Sequence, residues 1–86
     1  MLDEIIYDLL AKKKELKEAE NKALCARDIV LDTINTSSTF SEYQNELKGN
    51  VITVSLPDGD IDIAIRYNGT NILIYVDDEI YHEIVL

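Results

Sequence analysis

The sequence predicts an α+β domain: a long N-terminal helix and a short second helix packed on one face of a four-stranded antiparallel β-meander. Three observations predict it. Residues 2–34 carry apolar side chains at helical spacing, and residues 51–86 alternate apolar with polar between tight turns. The sheet so formed has one apolar face, and only the N-terminal stretch is long enough to cover it.

The long helix, residues 1–35, rests on Leu2, Leu9, Leu16, Ala23 and Val30, which recur every seven residues, with Ile5, Ile6, Leu10, Leu24, Ile29 and Ile34 widening the stripe. Lys12 interrupts the seam, which argues against a long regular coiled coil. At about 1.5 Å per residue, a straight helix of this length extends roughly 50 Å. Four strands of about six residues make a sheet only about 15 to 20 Å on each side, so the helix must overhang or break. The run Lys12-Lys13-Lys14 offers neither Gly nor Pro to turn on. The overhang is therefore favoured, with Leu2, Ile5, Ile6, Leu9 and Leu10 meeting a second copy in a homodimer.

Asn35 to Ser38 reads as a loop of turn formers, after which Thr39 and Glu42 have capping-box spacing. A short helix, 39–48, should follow, showing Phe40, Tyr43 and Leu47 to the core and closing at Gly49.

Turn chemistry sets the sheet register. Asn68-Gly69 tolerates the positive φ of a two-residue hairpin turn, which pairs Tyr67 with Thr70, Ile65 with Ile72 and Ile63 with Ile74. The loop 57–60, beginning at Pro57, pairs Leu56 with Ile61 and Val54 with Ile63. At the last connection a two-residue Asp77-Asp78 turn would direct Glu79, Tyr81 and Glu83 inward. A three-residue loop or a bulge is expected instead, aligning Ile80, His82 and Ile84 with Val76, Ile74 and Ile72. Those residues join Ile52, Val54, Leu56, Ile61, Ile63, Ile65 and Leu86 on the core face, leaving Leu73, Tyr75, Tyr81 and Val85 together on the outer face.

Composition narrows the function classes. The 86 residues are 47 % apolar with a formal net charge of -9. Residues 51–86 hold seven acids against Arg66 alone, so the sheet half carries most of the negative charge. Nucleic-acid binding needs a basic face, which argues against direct contact with DNA or RNA and for a basic protein partner. No apolar run is long enough to span a membrane. The acidic start MLDEIIYDLL lacks the positive charge of a signal peptide, and a single Cys25 permits no internal disulfide; both suit a cytoplasmic chain.

No residue constellation points to catalysis. His82 has no Cys, Ser or second His beside it in sequence, and Cys25 sits in an apolar helical stretch, so both read as packing residues. Asp58-Gly59-Asp60-Ile61-Asp62 alternates carboxylates, but its glycine is misplaced for a calcium loop and no bidentate Glu follows. It reads as a solvated turn, and no metal or cofactor is expected. Asp58, Asp60, Asp62, Asp77, Asp78 and Glu79 fall at one end of the meander as an acidic rim. Beside it, Leu73, Tyr75, Tyr81 and Val85 make an apolar face of a kind solvated sheets rarely show.

The function these features favour is a non-enzymatic protein-binding module, an inhibitor or nucleic-acid mimic acting on a basic target. A structural homo-oligomer, or a small-molecule or nucleotide binder at a dimer seam using Arg66 and the tyrosines, is the alternative. In size and charge the chain is similar to accessory proteins of phages and mobile elements, a likeness carried by no motif.

Overall fold

The computed structural model describes residues 2–86. It is an α+β fold with three helices, α1 (Asp3–Ala11), α2 (Lys13–Glu18) and α3 (Lys22–Thr36), followed by five strands. These are β1 (Asn45–Lys48), β2 (Val51–Leu56), β3 (Gly59–Tyr67), β4 (Asn71–Val76) and β5 (Glu79–Val85), in an antiparallel sheet of order β1-β2-β3-β4-β5.

The expected single long helix is a helical hairpin. At Lys12 the backbone (φ -104, ψ 22) merely kinks between α1 and α2, while the chain reverses at Ala19–Asn21, where Ala19 is extended (ψ 139). Asn21 caps α3, its side chain accepting from the Leu24 N–H at 3.1 Å. Two hydrogen bonds fix the antiparallel alignment: Thr33 Oγ1 donates to Asp8 at 2.8 Å and Ser37 Oγ to Glu4 at 2.6 Å. Burial decides against the overhang. Ile5, Ile6 and Leu9, expected at a dimer contact, are buried in the chain's own core together with Leu16, and Leu2 packs at its border. Each such side chain contributes about 1.5 to 3 kcal/mol when withdrawn from water, which an overhang would forfeit in the monomer. Of the five residues, Leu10 alone stays largely exposed.

The short helix expected at 39–48 does not form. Ser37, rather than Thr39, satisfies the local backbone, its Oγ accepting from the N–H groups of Thr39 and Phe40. Phe40 is buried as expected, and Asn45–Lys48 becomes β1 on the edge of β2. Gly49 has the positive φ (+59) a helix end would use, but spends it on the β1–β2 turn. That hairpin pairs backbone groups of β2 that a helix would leave open.

In the sheet, the core face holds Ile52, Val54, Ile63, Ile65, Ile72, Ile74 and Ile84, all buried in one cluster with residues of the helices. The register differs from the expected one by two residues in both central hairpins: Val54 faces Ile61 and Ile65 faces Ile74. Positive φ occurs at Gly69 but not at Asn68, whose side chain instead accepts from the N–H groups of Thr70 and Asn71. A displacement of two preserves the facing of every side chain, which is why the isoleucines of β2, β3 and β4 stay on the predicted face, while Val76, also expected in the core, is only half-buried. Leu56, Ile61 and Leu86 pack at the core's border, half-buried.

Candidate partner-binding surface

The last hairpin departs most from expectation. Asp77 (φ 51) and Asp78 (φ 68) both occupy the left-handed region, so the turn has two residues, with Val76 facing Glu79 and Tyr75 facing Ile80. A bulge then inserts one extra residue, after which Ile74 faces His82 and Ile72 faces Ile84 as expected. The extra residue is Tyr81.

Its insertion redistributes the predicted patch. Ile80, expected in the core, shares the outer face with Tyr75 and is 63 % exposed. His82 lies opposite Ile74 yet is exposed, because β5 is the edge strand. Tyr81, expected beside Tyr75, turns toward α1, where its hydroxyl donates to Asp3 Oδ1 at 3.1 Å. That carboxylate, together with partial desolvation and the Asp3 charge, raises the Tyr81 phenol above its ordinary value. Leu73, Tyr75 and Val85 remain on the outer face. The Arg66 guanidinium lies over the Tyr75 ring at 5.2 Å, a cation–π contact that places a positive charge beside Tyr75 on the outer face.

The apolar surface therefore wraps around β5. Outside are Ile80 and Val85; on the helix side are Tyr81, Tyr7 (73 % exposed) and Leu10 (48 %). Asp3, Ile6, Tyr7, Leu10, Tyr81 and His82 line an open cleft of about 440 Å³ between α1 and β5. Tyr7 was not among the residues the sequence singles out. It stands outside the apolar stripe, adjacent to Ile6 and three residues before Leu10, and its place in the cleft becomes visible once the hairpin brings α1 alongside β5.

The acidic rim comes together as the meander requires. Asp62 and Asp77 are joined by two hydrogen bonds: the Asp77 N–H donates to the Asp62 carbonyl at 2.9 Å, and the Asp62 N–H to Asp77 Oδ1 at 3.0 Å. Thr53 Oγ1 also donates to Asp62 at 2.7 Å. Asp58, Asp60, Asp62, Asp77, Asp78 and Glu79 are all exposed. Among the described residues no group of three His, Cys, Asp or Glu side chains is arranged to hold a metal ion, and no helix is long and apolar enough to cross a membrane. The close ion pairs among them are Arg27–Asp28 at 3.0 Å and Lys48–Glu46 at 3.9 Å, neither involving α1, the rim or β5. Cys25 is half-buried in α3, its thiol pushed up first by burial and then by the charges of Glu15 and Asp28. Comparison of the chain with protein families, with characterised proteins and with solved structures finds no match, and its function is read from this surface alone.

Proposed function

We propose that this chain is a non-catalytic protein-binding module that takes a basic partner on the side formed by α1 and β5. The observation that carries this reading is the gathering of exposed apolar side chains there, Tyr7, Leu10, Ile80, Tyr81 and Val85, between walls that bear no lysine or arginine. α1 contributes Asp3, which lines the cleft, and β5 contributes Glu79 and Glu83, while Glu4 and Asp8 accept from Ser37 and Thr33 on the α3 side. Aromatic and aliphatic anchors provide contact area, and unneutralised carboxylates around them attract a cationic patch and repel acidic competitors. The rim at the β4–β5 turn extends the same field, in the manner of a phosphate mimic.

The test is capture from a lysate of the organism that makes the protein. Basic proteins should be retained at low ionic strength, be released by added salt, and be lost from a Leu10→Ser/Ile80→Ser variant, whose exposed substitutions leave the core intact. Capture that is indifferent to both salt and the double substitution would overturn the assignment.

A further inference from the structure

Resting on that reading, we infer how the partner is held: an extended basic segment adds to the open edge of β5 as a further antiparallel strand, its alternate side chains entering the cleft against α1. β5 pairs with β4 alone, so one of its edges has no neighbour. The direction of its backbone groups follows from the ladder, because alternate residues in an antiparallel sheet address opposite neighbours. The Asn71 carbonyl accepts from Asn68, and the Asp77 N–H donates to Asp62, so the odd-numbered residues of β4 address β3. Ile72 and Ile74 therefore address β5, and their partners Ile84 and His82 point back at β4. Glu83 and Val85 aim their N–H and C=O groups outward, at solvent.

The guards this edge carries are the bulge at Tyr81 and the charges of Glu79 and Glu83, which leave the stretch beyond the bulge open to a cationic strand. β5 contains no proline or lysine and runs seven residues, whereas β1 at the opposite edge is four residues long and ends in Lys48. The bulge at Tyr81 confines regular pairing to the stretch His82 to Val85. Along that stretch an incoming residue opposite Glu83 sits on the outer face beside a carboxylate, with room for a Lys or Arg stem along Val85. Its neighbours point the other way, toward Ile6, Tyr7 and Leu10. The segment that fits alternates cationic with aliphatic residues. A second copy of β5 fits worse, since it would bring Glu79 and Glu83 of two chains onto one seam.

The probe is a blocked hexapeptide alternating lysine and valine. Binding should slow hydrogen exchange at the Glu83 amide of the intact protein, a group the β4–β5 ladder does not use. Glu83→Pro deletes that donor at an edge position where proline is tolerated and should weaken binding by about tenfold or more, whereas Glu83→Gln, which keeps the donor, should weaken it only about threefold. The inference is overturned if the peptide fails to bind, if it binds with exchange at Glu83 unchanged, or if the Pro and Gln variants bind alike. In each of those cases, salt-sensitive capture of a basic partner lost on Leu10→Ser/Ile80→Ser would leave the proposed function standing. A peptide-free protein of doubled mass that already protects Glu83 would assign the edge to self-pairing and also overturn it.

Discussion

The Tyr81 hydroxyl donating to Asp3 ties the last strand to the first helix, and its consequence is a pH dependence with a definite sign. The phenol titrates higher in the folded chain than in the unfolded one, so folding favours the neutral form. That contribution is complete below the ordinary phenol range, about pH 10, and is lost as pH rises through the raised folded value. Tyr81→Phe should flatten the alkaline limb of the stability profile, and the difference in ultraviolet phenolate titration between wild type and variant should reveal one tyrosine titrating above its usual range. At this scale the sequence is legible wherever side chains simply alternate: Leu73, Tyr75 and Val85 face outward as alternation demands. Ile80, Tyr81 and His82 are not legible in the same way. A bulge was among the expected solutions, but its position depends on two consecutive aspartates adopting left-handed backbone, and nothing local marks which residue becomes the extra one.

Among the elements, the helical hairpin depends most on one polar side chain. Asn21 accepts from the Leu24 N–H at the start of α3, immediately after the chain has reversed without Gly or Pro. Asn21→Ala should cost about 1 kcal/mol, a fall of about 4 to 8 °C in the thermal midpoint of a domain this size, read by circular dichroism. The heptad-like spacing of Leu2 to Val30 continues unbroken through Ala19–Asn21, so periodicity alone gives no sign of the reversal. What reveals it is geometric. A straight helix of about 50 Å exceeds the longest dimension of the folded chain, 36 Å. β1 was hidden for a related reason: Glu42 and Thr39 fit a capping box locally, and the open edge of β2 that outbids it is a property of the finished sheet.

At the scale of the whole molecule, 17 acids and 8 bases form few close pairs, so self-repulsion is little relieved within the fold. Raising ionic strength from about 0.01 M to about 0.15 M shortens the screening length from about 30 Å to about 8 Å, and the thermal midpoint should rise across that range. A midpoint that falls would mean that attractive pairs, not repulsion, dominate the surface. The architecture of helices on one face of an antiparallel meander is readable from the sequence because it follows from two periodicities. The side proposed for docking is only half readable, since β5 is evident as an edge while the position of α1 beside it emerges from folding.

The central hairpins also set a rule for how this chain can change length. Moving a turn by a pair of residues leaves every isoleucine where the helices need it, so insertions and deletions in twos are nearly silent for the interior. A lone addition inverts all that follows unless a compensating irregularity absorbs it, and β5 carries such a device already. Indels at these loops should therefore be even-numbered, with odd ones tolerated beside Tyr81, where the strand has the means to count twice.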